Sequence, residues 1–215
     1  MSGGAGARGG APGNIVGNTY DKYGSRNPIA RALMAGFLRA VVGLYQEAAP
    51  RTALEVGCGE GKLASALLRA GPRPEAFTAC DLELPQGTDD QGRAPGLDPL
   101  LRFSAASIYA LPQADASVDL VICCEVLEHL EDPAAGLAEL ARVARGHVLL
   151  STPWEPAWRA MNVARGRYLR ALGNTPGHIQ HFSRRGLLRL AQTRLDVVAV
   201  RRPLPWTVLL GTPRR

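Results

Sequence analysis

The chain has 215 residues, four cysteines and a formal net charge of +6, which suits one α/β domain with a small decoration and a full core. Apolar residues make up 46% and charged residues 20%, proportions that exclude a disordered or fibrous chain. The sequence reads as having no apolar run of the roughly 18 residues that cross a bilayer and no signal-peptide layout, so a cytoplasmic address is expected.

Cys58, Cys80, Cys123 and Cys124 lie in or beside apolar stretches without a CxxC pair. They read as reduced core residues, not as a disulfide frame or a zinc knuckle. The basic residues are 23 Arg and two Lys, with Arg dense over 159–202. Charge runs without interleaved aromatics are weak signals for nucleic acid, so the dense stretch reads as solvated helix faces and a nucleic-acid partner is disfavoured.

Residues 1–13 are Gly/Ala-rich and read as a disordered tail, leaving 14–215 as a single domain. The polar segment 14–27 reads as loop or short helix. Pro28 opens a helix in which Ile29, Leu33, Phe37, Val41 and Leu44 recur at helical spacing, and Pro50 ends it. Strand 52–56 leads through a glycine turn into a helix over 61–70. Strand 76–80 ends at Asp81. A Gly/Pro/Asp-rich exposed loop covers 85–99, followed by strands at 100–104 and 118–123. An acidic helix start is expected at 125–130 and a helix over 133–144. Strand 147–151 precedes an irregular stretch, 152–182, with a helix expected over 155–171. Ser183 caps a helix to about Thr193, and strands 196–200 and 206–210 close the chain. The alternation predicts a doubly wound, mostly parallel seven-stranded sheet with helices on both faces.

The glycine turn carries the first chemistry. In Glu55-Val56-Gly57-Cys58-Gly59-Glu60-Gly61, three glycines at alternate positions let the backbone bend sharply or pass close to a ligand. Asp81 follows Gly61 at the distance where an α/β nucleotide fold places its ribose-binding acid. The turn departs from the dinucleotide fingerprint because Lys62 stands in the third glycine's place.

This combination resembles motif I of the class I S-adenosylmethionine (SAM) methyltransferases, (D/E)-x-G-x-G-x-G. The resemblance implies a Rossmann-like sheet with an antiparallel last strand and SAM as cofactor. It also implies an N-terminal lid and helix over 14–49, and an acceptor-side insertion over 152–182. On SAM, Gly57, Cys58, Gly59 and Gly61 would face the amino-acid end. Glu55 would reach the ammonium directly or through water. Asp81 would take both ribose hydroxyls. Leu82 and Ile108 would cover the two faces of adenine, Ser107 stands where the family frequently has Asp, and Cys124 would lie near the methionine part.

Glu125, Glu128 and His129 have the spacing i, i+3, i+4, which on a helix shares one face. They are the catalytic candidates. This E-x-x-E-H string resembles two methyltransferase groups that bind a divalent metal: the quinone-biosynthesis O-methyltransferases and the small-RNA 3′-terminal 2′-O-methyltransferases. The resemblance implies Mg²⁺, Mn²⁺ or Zn²⁺ on Glu125, Glu128, His129 and His181, which matches the fourth position better than His178. The same string also resembles one found in general small-molecule methyltransferases without a known metal. There the two acids would meet a helix N-terminus, and His129 would line the pocket or act as base.

Trp154, Trp158, Met161 and Tyr168, with Arg159, Arg165 and Arg167, would suit a flat or lipophilic acceptor carrying an anionic group. Alternatively, the two tryptophans pack a short helix onto the body. The expected function is methyl transfer from SAM to oxygen or nitrogen of a small aromatic or lipophilic metabolite. The alternatives are an RNA 2′-O-methyltransferase and a non-catalytic SAM-binding partner subunit. The sequence sets no oligomeric state.

Overall fold

The computed structural model describes residues 27–164, 166, 171–175 and 177–215. The expected tail and nearly all of the 14–27 segment lie outside these residues, as do Arg165, Arg167, Tyr168 and Pro176.

The first helix, α1 (Pro28–Ala48), is capped by Asn27, whose side chain accepts the N–H groups of Ile29 and Ala30, and begins with Pro at its first position. Its buried stripe is Met34, Phe37, Val41, Leu44 and Tyr45. By length and composition this 21-residue helix could cross a membrane, although Arg31, Arg39 and Glu47 interrupt its apolar run. Here the stripe is filled by the sheet, as in a core helix.

Strands and helices then alternate: β1 (Thr52–Val56), α2 (Lys62–Ala70), β2 (Ala76–Asp81), β3 (Leu101–Ala105), β4 (Val118–Cys124), a 3-10 turn (Leu127–His129), α3 (Pro133–Val143), β5 (Ala144–Pro153), α4 (Glu155–Ala164), α5 (Arg184–Gln192), β6 (Leu195–Arg201) and β7 (Trp206–Pro213). The seven strands lie in the order β3-β2-β1-β4-β5-β7-β6. The first five are parallel. β7 runs antiparallel between β5 and β6, so the expected closing pair is present.

Residues along each strand alternate between two cores. Ala53, Phe77, Ile122 and Val208 pack with α1 and α2. Leu54, Val121, Leu150 and Leu209 pack with α3 and α5.

Three local readings change. β5 spans ten residues, longer than expected, because it pairs with β4 and β7 on its two sides. α4 ends at Ala164, short of the expected 171. The 125–130 stretch does not start a helix: Glu125 sits at φ +61, outside right-handed helical space, and only 127–129 form a 3-10 turn. The 85–99 loop is mostly exposed, as expected, and is anchored to the body at a few points. The Phe103 N–H donates to the Gly92 carbonyl at 2.7 Å and the Leu101 N–H to Asp98 at 3.0 Å, while Ala94 and Leu97 pack against the core.

Candidate active site

The parallel strands end at Val56, Asp81, Ala105 and Cys124, and the strand order reverses between β1 and β4. Open α/β sheets bind ligands in the crevice outside such a reversal. The glycine turn, Asp81, Ser107 and Cys124 all follow or close these strand ends.

Gly57, Gly59 and Gly61 have φ of +75°, +51° and +70°, a region that side chains disfavour. A Cβ on Gly61 would stand 2.5 Å from the Phe103 ring. Gly59 is exposed, and a Cβ there meets nothing within 4 Å, so its requirement is conformational. The Gly57 and Cys58 amides donate to the Cys80 carbonyl at 2.8 and 3.1 Å, and the Gly59 amide donates to Asp81 Oδ2 at 2.8 Å. These amides hold the turn to β2 and do not point at a ligand as the resemblance implies.

Glu55 is 3% exposed, and its Oε2 accepts the Ala64 N–H at 2.9 Å. It is tied to the first turn of α2 beneath the glycines. Burial pushes its carboxyl up to about 8, the Ala64 N–H opposes that shift, and the nearby Asp81 charge adds to it. Burial, and then the charges of Glu55 and Asp81, also raise the Cys58 thiol, so Cys58 is an inert packing residue. Cys80, Cys123 and Cys124 are likewise held as thiols, first by burial.

Asp81 is half-buried. Its Oδ1 accepts the Leu82 N–H at 2.7 Å and its Oδ2 the Gly59 N–H, so each oxygen keeps a lone pair for a hydroxyl. Leu82 is 57% exposed, but Ile108 is buried, its Cδ1 3.4 Å from where a Cβ on Gly136 would stand. Ile108 therefore faces the core more than the crevice. Ser107 is half-buried, and its Oγ accepts the Tyr109 N–H at 3.2 Å.

The acceptor side departs most from the spacing argument. At φ +61 Glu125 leaves the face of Glu128 and His129. Its Oε1 accepts from Ser151 Oγ at 3.1 Å and its Oε2 from Trp206 Nε1 at 2.7 Å, tying the exit of β4 to β5 and β7. The group that does converge is Glu128, His129 and His178, whose ligand atoms lie within 4.8 Å of one another. His181 is exposed and outside this group. His178 replaces it, and Glu125 drops out.

Backbone bonds hold this group together. The Ile179 and Gln180 amides both donate to the Glu128 carbonyl, at 3.0 and 2.9 Å. His129 Nδ1 lies 2.8 Å from the Gly177 carbonyl. A carbonyl only accepts, so this nitrogen carries the proton and Nε2 keeps its lone pair. The two imidazoles meet edge to face, 4.9 Å between centroids. His178 is 6% exposed, and its Nδ1 lies 2.7 Å from Oε1 of Glu155, itself 4% exposed.

An aromatic wall adjoins the histidines. Trp158 stacks on His178 at 6.4 Å and meets Trp206 at 5.7 Å, and Trp206 meets Phe37 at 5.0 Å. Trp158 Nε1 donates to Thr175 Oγ1 at 2.8 Å. This tryptophan packs α4 onto the body, as one of its two expected roles has it, and also adjoins the histidine cluster. The guanidinium of Arg184 lies 3.9 Å over the Trp154 ring, outside the cluster.

Sequence reasoning missed Glu155 and ranked His181 above His178. The available signal for Glu155 was an acid two residues beyond a strand exit on the ligand-binding edge. For His178 there was none, since spacing cannot choose between two histidines in a loop.

Residues 54–150 match a family profile described as a methyltransferase domain. The malonyl-[acyl-carrier protein] O-methyltransferase of Hahella chejuensis is 31% identical over 154 residues, covering 65% of this chain and 54% of that protein. The ubiquinone biosynthesis O-methyltransferase of Methylococcus capsulatus is 36% identical over 106 residues, 48% of this chain and 44% of that one. The chain thus spans about half the length of these curated relatives. Among solved structures, an O-methyltransferase from neocarzinostatin biosynthesis, in complex with SAM and 2-hydroxy-5-methyl naphthoic acid, superposes with a TM-score of 0.63 at 25% identity. The match covers 85% of this chain and 56% of that one.

Proposed function

From the match of residues 54–150 to a methyltransferase-domain profile, we propose that this chain moves the methyl group of SAM to an oxygen of a small planar metabolite. One observation carries the reading. The cofactor crevice ends at Cys124, three residues before the turn that presents Glu128 and His129 to His178, beside a wall of Trp158 and Trp206. The relatives are named as O-methyltransferases, and the structural neighbour holds a naphthoic acid, which supports an aromatic oxygen acceptor over nitrogen.

In this reading the ribose hydroxyls donate to Asp81 and one face of adenine rests on Leu82. Glu55 supports the turn from below, with a carboxyl oxygen available to the SAM ammonium through water. SAM is already a strong electrophile. The chain's task is to hold the acceptor oxygen in line with the methyl group, with Trp206 and Trp158 shaping that approach.

A divalent cation fits the histidine cluster by its donors: one carboxylate and two imidazoles, each ring with Nδ1 against an oxygen acceptor. Glu128, His129 and His178 would hold it. Bound there, it would polarise an acceptor oxygen and lower its pKa.

The test is turnover of SAM labelled in its methyl group, with phenols, vicinal diphenols and aryl carboxylates offered in turn. The expected result is a labelled ether or ester from one planar class, sensitive to Glu128→Gln. SAM binding without release of S-adenosylhomocysteine across all three classes would overturn it and favour the non-catalytic partner reading.

A further inference from the structure

Glu155 lies beyond every residue that the sequence motifs singled out, and its setting is unusual. It opens α4 directly after β5 and is 4% exposed. Its amide donates to the Phe182 carbonyl at 3.2 Å, and the neighbouring Trp154 amide donates to Pro205 at 2.7 Å. The carboxylate is therefore fixed by backbone on both sides. Its Oε1 meets His178 Nδ1 at 2.7 Å, while Oε2 is buried with no hydrogen-bond partner among the described residues. A carboxylate held this deep is costly unless it has an assigned electrostatic task.

We propose that Glu155 is the positioning residue of the cation site: it fixes the tautomer and ring orientation of His178, so that Nε2 faces Glu128 and His129. This rests on the cation reading of that cluster. A carboxylate can only accept when ionised, so it selects the Nδ1–H tautomer of His178. It also raises the donor strength of the opposite nitrogen, as carboxylates behind ligating histidines do. Gly177 does the same for His129 with a neutral carbonyl. The two imidazoles are thus oriented by unequal partners, and His178, backed by a full charge, is the stronger donor. With Glu128 the site offers two nitrogens and one carboxylate, a set suited to first-row transition ions over Mg²⁺.

The experiment is a calorimetric titration of the metal-stripped full chain with Co²⁺ and Zn²⁺, in wild type, Glu155→Gln and Glu155→Asp. Glu155→Gln keeps the shape and loses the charge, and is expected to weaken both ions by about ten- to a hundredfold. SAM affinity should stay within about twofold, because the hydrogen-bond partners of Glu155 are Phe182 and His178 and not the glycine turn or Asp81. If wild type binds neither ion, the cation reading falls and this proposal falls with it. If wild type binds and Glu155→Gln binds equally well, only this proposal falls. Should the variants not fold, ¹⁵N imidazole spectra of the wild type decide. His178 is expected to carry its proton on Nδ1, with Nε2 shifting on Zn²⁺ addition; a proton on Nε2, or no shift, overturns the proposal.

Discussion

Val126 occupies the space that a Cβ on Gly57 would need. The residue just before the 127–129 turn thus braces the first glycine of the cofactor turn, so the two halves of the site share a contact. Gly57→Ala would suffer this clash and a disfavoured φ of +75°. It should lose about 1–3 kcal/mol of stability and most SAM binding. Adding Val126→Ala should recover the part due to the clash and leave the part due to φ. Urea unfolding of the two single variants and the double variant separates them, and strict additivity would contradict the contact.

Asp81 gives a cofactor prediction. Asp81→Ala removes two charge-assisted acceptors and also releases the Gly59 amide. SAM affinity should fall by about ten- to a hundredfold, in line with about 1.5–3 kcal/mol for a bond to a charged group. Calorimetry with SAM checks this; unchanged affinity would remove Asp81 from the site.

Glu55 predicts a pH dependence. Its carboxyl is held at about 8 in the fold against 4.5 for an unperturbed Glu. Between those values the unfolded chain has lost the proton and the folded chain keeps it. Stability from this group therefore falls as pH rises through that window, by at most about 1.4 kcal/mol per unit, and levels off above 8. Glu55→Gln should flatten the decline, as measured by urea midpoints from pH 5 to 9. A decline equal to that of wild type would mean that Glu55 is not the group responsible.

Glu125, Glu128, His178 and His181 predict unequal effects on Co²⁺ binding. Glu128→Gln and His178→Ala should each weaken it by tenfold or more, on the order of 1.4 kcal/mol. Glu125→Gln and His181→Ala should leave it within about twofold. Glu125→Gln instead bears on Trp206, whose indole N–H it receives, and should alter tryptophan emission. If Glu125→Gln abolishes Co²⁺ binding, the spacing argument was right and the turn geometry is not the binding geometry.

The sheet and the glycine turn at its switch point were legible because their signals are local. Alternating apolar runs fix the strands, and glycines at 57, 59 and 61 with Asp81 fix the crevice. The acceptor side was legible only in part. Reading Glu125, Glu128 and His129 as one helical face assumed a right-handed helix, and the left-handed φ of Glu125 is imposed by its ties to Ser151 and Trp206, residues distant in sequence. Choosing His178 over His181 likewise depends on Glu155 and on the amides of Ile179 and Gln180, a tertiary arrangement that spacing does not encode.

The loop at Gly92 has a consequence for association. It lies along the outer side of β3, where the Leu101 and Phe103 amides already have carbonyl partners within the chain. At the other margin, the β6 ladder shifts register between Val197 and Ala199, and Asp196 and Arg201 stand exposed. The outward amides at the β3 margin are taken, and the register shift and exposed charges at β6 work against pairing with a foreign strand. Polymer growth by strand addition is thereby discouraged, and a second protein would have to grip helix surfaces or the loops above the crevice.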